Sequence, residues 1–222
     1  MKKISIIAPT LNEEENISTF IRKIKKLKLK NYEIIVVDDS TDKTPQIAKF
    51  MMRKLKIDGK IIKRYGKKGK GSAIRDGLKI CKGDYIVLID ADLQYPVEKI
   101  PIMLKKLEKY DIVLTRKLRK DSFYRKILGT IFRILVFLLF GIKEETQSTM
   151  KAFRKIVREK VNFNSNGWAW DVEFIYKAKK LGFKFTNIPV IYSERKGGKS
   201  KINFLTPIKM FLEILKIRLR EN

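Results

Sequence analysis

Three nearly apolar runs, Ile4–Ala8, Tyr32–Val37 and Tyr85–Ile89, each stop in a polar turn, and each is followed by a segment of helical character. Runs without polar alternation read as strands buried on both faces, the pattern of parallel sheets covered by helices. Lys60–Tyr65 and Asp111–Thr115 add two shorter strands, so residues 1–116 alternate strand and helix. That order predicts an α/β fold: a mostly parallel sheet with helices on both faces. In such sheets, ligands bind beyond the carboxyl ends of the strands.

Three of those strand ends carry the chemistry. The first run ends in Pro9-Thr10-Leu11-Asn12-Glu13, where Asn12 is placed to cap the next helix. The second ends in Asp38-Asp39-Ser40-Thr41-Asp42. Asp38 or Asp39 suits contact with a nucleotide base or ribose, whereas Asp42 fits a turn or helix cap. The central run ends in Asp90-Ala91-Asp92-Leu93-Gln94-Tyr95-Pro96. Two carboxylates one residue apart at the end of a buried strand are costly to hold without a cation. A divalent ion bridged to phosphate would offset them, with Gln94 offering a further oxygen. The ordinary alternative is a solvated Asp-rich turn.

Gly66-Lys67-Lys68-Gly69-Lys70-Gly71-Ser72-Ala73 opens the third helix. Glycines and lysines at a helix start suit phosphate, although the spacing is not that of a P-loop.

Lys and Arg number 51 against 24 Asp and Glu, a formal charge of +27. Such a balance implies anionic partners: nucleic acid, acidic lipid headgroups or phosphorylated substrates. Histidine is absent, which removes Ser–His and Cys–His catalysis and His-bound metals together. Cys81 is the single cysteine, so no disulfide forms within the chain and a reducing compartment is expected. The N-terminus reads without a signal peptide.

The character changes after residue 116. A basic stretch (Arg116, Lys117, Arg119, Lys120, Arg125, Lys126) precedes an apolar helix over 127–142. It is too short and broken to span a bilayer; it suits either a buried core helix or one lying in a membrane interface. Trp168–Leu181 reads as a helix with Asp171 and Glu173 in its first turns, and Phe183–Tyr192 as an edge strand containing Pro189. Arg195-Lys196-Gly197-Gly198-Lys199-Ser200-Lys201 is a cationic loop, and residues 203–222 have amphipathic helical spacing, for packing or for a membrane surface.

Taken together, Pro9-Thr10-x-Asn12-Glu13, Val37-Asp38-x-Ser40-x-Asp42-x-Thr44, Gly69-Lys70-Gly71-x-Ala73-x-Arg75-x-Gly77, Asp90-Ala91-Asp92-Leu93-Gln94-x-Pro96-x-Glu98 and Arg195-x-x-Gly198-x-Ser200-Lys201 resemble a family-2 glycosyltransferase of the GT-A fold. The pattern is most similar to the dolichyl-phosphate mannose synthase and dolichyl-phosphate glucosyltransferase group. The resemblance implies a GT-A domain over 1–202, with a nucleotide-binding half (1–116) and an acceptor half (117–202), then a C-terminal membrane-surface helix. It implies nucleotide-sugar contacts at Pro9, Leu11, Glu13, Val37, Asp38, Asp39, Lys70, Asp90, Ala91, Asp92, Arg116, Arg195 and Lys201. Mg²⁺ or Mn²⁺ would be held by Asp90, Asp92 and Gln94. Acceptor-phosphate contacts would be Arg116, Arg125 and Ser200, and the catalytic set Asp92, Arg116, Arg125, Arg195 and Lys201. Where that family often has Asp-x-x-Ser-Gly-Phe, this chain has Glu145-Thr146-Gln147-Ser148-Thr149-Met150.

The implied reaction is inverting, metal-dependent hexose transfer to a polyprenyl (dolichyl) phosphate at the cytoplasmic face of a membrane. The donor is GDP-mannose, or alternatively UDP-glucose. The enzyme would be peripheral on an anionic membrane surface, with or without an anchoring partner protein. A soluble or protein acceptor would instead need a carboxylate base, with Asp171, Glu173 or Glu145 available. A basic nucleic-acid-binding module fits the charge, but no nucleic-acid motif is present and specific nucleic-acid binding is not expected. An inactive lipid-binding homologue is the remaining alternative.

Overall fold

The computed structural model describes residues 2–66, 69–118, 123–146, 148–193 and 206–221. In chain order the elements are β1 (Ile4–Thr10), α1 (Glu14–Lys26), β2 (Tyr32–Asp38), α2 (Thr44–Lys54), β3 (Asp58–Lys63), α3 (Lys70–Ile80) and β4 (Tyr85–Leu88). A short 3-10 turn (Val97–Lys99) then leads into α4 (Ile100–Lys106), β5 (Ile112–Leu118), α5 (Phe123–Phe140), β6 (Lys151–Arg154), α6 (Lys155–Lys160), α7 (Trp170–Lys180), β7 (Phe185–Ile191) and α8 (Thr206–Glu221).

The seven strands form one sheet in the order β3-β2-β1-β4-β6-β5-β7. All neighbours run parallel except β6, which is antiparallel to both β4 and β5. β1 and β2 match the apolar runs and lie centrally, buried along nearly their whole length. β3 and β7 are the edges, where charged side chains and Pro189 are tolerated.

Two apolar layers flank the sheet. On one face, α1 presents Ile17, Phe20, Ile21 and Ile24 at i, i+3, i+4 and i+7, all fully buried against Ile6, Ala8, Ile34 and Val36. Each contributes on the order of 2 kcal/mol by burial. On the other face, α3, α7 and parts of α5 and α8 cover Ile7, Ile35, Val37, Leu88 and Leu114. The period-two alternation of β5 follows: Val113 belongs to the first layer, and Ile112 and Leu114 to the second.

The helix expected at 127–142 runs over Phe123–Phe140. Val136 and Phe140 are buried, but Ile127, Ile131, Ile134, Phe137 and Leu138 are exposed, so it is not a buried core helix. α8 likewise buries Ile214 and Ile217 and exposes Phe211, Leu212 and Leu219. Among the described residues, no helix is long and apolar enough to cross a membrane.

Candidate active site

Parallel pairing brings the ends of β1, β2 and β4 to one edge: Thr10 lies opposite Asp38, and Ile7 opposite Leu88. β6 runs the other way, so its first residue, Lys151, pairs with Leu88 and meets the same edge. This edge is the candidate site.

At the β2 end, Asp38 is fully buried and its oxygens are taken up. Thr10 Oγ1 (2.8 Å) and Ser40 Oγ (2.5 Å) donate to Oδ1, and Lys63 Nζ to Oδ2 (2.8 Å). Asp39 is gripped through both oxygens by Arg64, whose guanidinium also reaches Ser72, Asp76 and the Gly69 carbonyl. Of the two carboxylates Asp39 has the more accessible side chain, 10% against 0%. Arg64 was missed by motif reading, because its partners come together only in the fold.

The β1 turn departs from expectation at Asn12. It adopts a left-handed backbone (φ 51°), and its side chain accepts from Thr41 N–H instead of capping α1. The cap position belongs to Glu13, which is buried and accepts from Asn16 Nδ2 at 2.9 Å. Asp42 accepts from Thr44 N–H and Oγ1 at 2.9 and 2.5 Å, closing the turn that leads into α2, whose cap position is Lys43. Pro9 and Leu11 are half-buried, and Val37 and Ala91 are buried.

The glycines opening α3 serve packing. A Cβ at Gly69 would lie 2.2 Å from Asn166 O, and one at Gly71 would lie 2.3 Å from Ser165 O and 2.8 Å from Trp170 Cβ. The amides of Gly71 and Ser72 donate to Gly167 O and Asn166 O. The helix start expected to cradle phosphate is therefore bonded to the 165–167 loop, and Lys70 is the group it offers to an anion. The Lys70 ammonium donates to Asp90 Oδ2 (2.7 Å) and Thr149 Oγ1 (3.0 Å), beneath the Trp168 ring.

Asp92 is buried two residues further on, and its Oδ1 accepts from Gln94 N–H at 3.2 Å. Burial, then the Asp90 charge and more weakly Glu13, push its carboxyl up to about 6, against the lowering effects of Gln94 N–H and Lys70. A carboxylate so disfavoured as an anion fits a cation site. Among the described residues, no group of three or more His, Cys, Asp or Glu forms a ready metal cage. Two carboxylates are what Mg²⁺ or Mn²⁺ takes when substrate phosphates complete its shell. Gln94 has its amide oxygen accepting from Tyr192 O–H (2.7 Å) and its amide nitrogen donating to Ser193 O (3.3 Å).

Arg116 is exposed on β5, and by alternation belongs with Leu114 on the α5/α7 face. Its neighbour Lys117 faces the other way, over the rings of Tyr95 and Tyr192. Asp171 is buried against Lys151, which is itself fully buried (Nζ–Oδ1 2.7 Å). Burial raises the Asp171 carboxyl while Lys151 opposes it. Glu173 accepts from the amides of Asn164 (2.9 Å) and Ser165 (2.7 Å) and from Lys177 (2.8 Å), and so anchors a loop. Glu145 is half-buried. The Arg125 side chain, Arg195, Ser200 and Lys201 lie outside the described residues.

A mostly parallel sheet with an acidic turn at its carboxyl edge, and a lysine against the first aspartate, is an arrangement able to receive a divalent cation and a phosphate group. The model of Glycosyl transferase family 2 matches residues 5–202, and the chain belongs to that family. Dolichol-phosphate mannosyltransferase of Pyrococcus furiosus is 34% identical over 228 residues, covering 97% of this chain and 63% of its own length. The chain thus spans somewhat under two thirds of that relative. Dolichyl-phosphate beta-glucosyltransferase of Dictyostelium discoideum is 29% identical, over 98% of this chain and 74% of its own. The fold matches glucosyl-3-phosphoglycerate synthase from Mycobacterium tuberculosis, solved with Mn²⁺, UDP and phosphoglyceric acid, at a TM-score of 0.78 and 21% identity, covering 98% of this chain and 78% of that one.

Proposed function

We propose that this glycosyltransferase moves a hexose from a nucleoside diphosphate sugar to a polyprenyl phosphate at a membrane surface, by an inverting reaction. The observation that carries the reading is the pair of half-buried Asp90 and buried Asp92, countered on the protein side by Lys70. The names of the similar Pyrococcus and Dictyostelium proteins supply the lipid-phosphate acceptor and the hexose. Mannose from GDP-mannose is the favoured donor, with glucose from UDP-glucose the alternative.

Asp39 and the half-buried Pro9 and Leu11 would hold the nucleoside, and Lys70 would move from Asp90 to the donor diphosphate. An acceptor phosphate oxygen attacks the anomeric carbon from the side opposite the leaving group. The new C–O bond forms as the bond to the diphosphate breaks, and the diphosphate leaves with that electron pair. Mg²⁺ or Mn²⁺ on Asp90, Asp92 and Gln94 would supply positive charge for that departure. The acceptor phosphate is anionic at neutral pH and needs no strong base, which suits a chain without histidine. The commitment of Glu173 to loop amides and of Asp171 to Lys151 points the same way. Arg116, Arg125, Arg195, Ser200 and Lys201 are the proposed phosphate contacts.

The exposed apolar residues of α5, on a chain of net charge +27, suit an anionic lipid surface, and we assign the cytoplasmic face. The test is transfer of radiolabel from GDP-mannose or UDP-glucose into the organic phase, with Mn²⁺ or Mg²⁺ and polyprenyl phosphate in detergent. Label moving with one donor supports the reading and names the sugar. No transfer from either, by protein that binds nucleotide, overturns the lipid acceptor or the proposed donors.

A further inference from the structure

We infer that Tyr192, at the end of β7, is a positioning residue for the Asp90–Gln94 turn; this rests on the metal-dependent reading above. The turn contains Leu93 at φ 62°, a left-handed backbone that bulky side chains rarely adopt. Such a conformation persists only where its surroundings over-determine it. Here the restraint comes from the far side of the sheet, about a hundred residues later in the chain. Ser193 N–H donates to Gln94 O (3.0 Å), Gln94 Nε2 donates to Ser193 O (3.3 Å), and Tyr192 O–H donates to Gln94 Oε1 (2.7 Å). Gln94 N–H in turn donates to Asp92 Oδ1 (3.2 Å).

The Tyr192 ring is itself located. It meets Tyr95 edge-on, with centroids 5.0 Å apart at 74°, and the Lys117 ammonium lies 4.6 Å from its centre. Tyr95 Oη accepts from Thr149 N–H (3.3 Å), Thr149 Oγ1 accepts from Lys70 (3.0 Å), and Lys70 binds Asp90 (2.7 Å). A continuous path of contacts therefore runs from Asp90 through Lys70, Thr149, Tyr95, Tyr192 and Gln94 to Asp92. It joins the two carboxylates by a route that leaves the turn at Lys70 and returns to it at Gln94. Tyr192 is the member of that path just beyond β7, and it fixes which way the Gln94 amide oxygen faces. An amide oxygen has two lone pairs, so it accepts the Tyr192 proton and still offers the second to a cation. Outer partners of this kind orient metal ligands, and their loss usually weakens metal binding 10–100-fold.

The test is Mn²⁺ titration of the full chain, read by the EPR signal of free Mn²⁺, with UDP and with GDP. Tyr192→Phe keeps the ring against Tyr95 and Lys117 and removes only the hydroxyl. It should weaken Mn²⁺ binding about tenfold. The apparent KM for metal should rise by the same factor, with kcat at saturating metal close to wild type and the metal-free melting temperature unchanged. Tyr192→Leu, which also removes the ring, should weaken binding further. Equal Mn²⁺ affinity in wild type and Tyr192→Phe overturns the inference, as does a fall in kcat at unchanged metal affinity. A wild-type chain that binds neither Mn²⁺ nor nucleotide overturns the functional reading itself and this inference with it.

Discussion

The Lys70 ammonium lies 2.7 Å from Asp90 Oδ2, so a bound cation would compete with the lysine for that oxygen and a diphosphate would compete with Asp90 for the lysine. The lysine partly neutralises the acidic turn, and on the proposed reading a metal on that turn would release it to the diphosphate. Lys70→Met should therefore weaken nucleotide diphosphate binding by about tenfold or more, the scale of a charge-assisted hydrogen bond. It should leave metal-free folding largely intact. Calorimetric titration with UDP and GDP checks this, and unchanged affinity for both removes Lys70 from the donor site.

Asp92 links function to stability in opposite directions. Its carboxyl is raised to about 6 in the fold, above its ordinary value of 3.8. The folded protein thus binds the proton more tightly than the unfolded chain. The resulting stability is fully present below the ordinary value and is lost as pH rises from about 4 through about 6. Asp92→Asn removes this dependence. In the absence of metal it should melt higher than wild type at pH 7, by a few degrees. The gap should close at pH 4, while metal-dependent transfer is lost. Differential scanning across that range, beside the transfer assay, tests both halves; full transfer by the Asn variant would sink the metal role.

Metal and nucleotide together should stabilise the wild-type fold. Ligand at a hundred times its dissociation constant adds about 2.7 kcal/mol, a shift of several degrees for a chain of this size. Mn²⁺ with UDP or GDP should raise the melting temperature and EDTA should reverse it, and the nucleotide giving the larger shift identifies the donor base. Thermal shift measurement is sufficient, and no shift with either nucleotide would remove the site's assigned purpose.

Arg64 should prove more costly to lose than any surface cation. Its side chain is 3% exposed and serves Asp39, Asp76, Ser72 and the Gly69 carbonyl. Arg64→Leu leaves the Asp39 carboxylate confined without its fork, at a cost of about 3–5 kcal/mol. Adding Asp39→Asn should recover part of that stability but not nucleotide binding. Denaturant melts of the single and double variants check the coupling.

The exposed α5 face should matter only on lipid. Ile131→Glu and Leu138→Glu change outward-facing positions. They should reduce co-sedimentation with anionic vesicles and slow transfer to polyprenyl phosphate, leaving UDP or GDP binding as in wild type. Equal sedimentation would move the membrane contact elsewhere.

The elements that were legible in the sequence are those whose environment is uniform. β1, β2 and β4 are buried on both faces, so their apolar runs stand out, and the helix faces of α1 and α2 follow a simple period. β6 was harder to bound. Its pairing begins only at Lys151, because Ser148 and Thr149 turn toward Thr115 and Lys70 first. The acidic strand ends could be found as motifs, but their partners could not. Arg64 with Asp39, Lys151 with Asp171 and Tyr192 with Gln94 are separated by 25, 20 and 98 residues, and each pairing exists only once the sheet has ordered its strands. Gly69 and Gly71 looked like a phosphate loop because close backbone approach and phosphate approach demand the same missing Cβ. Asn12 looked like a cap because its residue type suits both a cap and a left-handed turn.

The reversed direction of β6 has a consequence for how such a chain can diversify. A strand parallel to its neighbours delivers only the segment that leaves it to the candidate site's edge; β6 delivers the residues that enter it, Ser148 and Thr149 among them. On the proposed reading, lengthening or rewriting that segment would be felt by the molecule that receives the sugar, while the turns after β1, β2 and β4 would still hold the donor. Insertions after Arg154 would emerge at the opposite rim, beside Asp84 and Asp111 and away from the acidic turn.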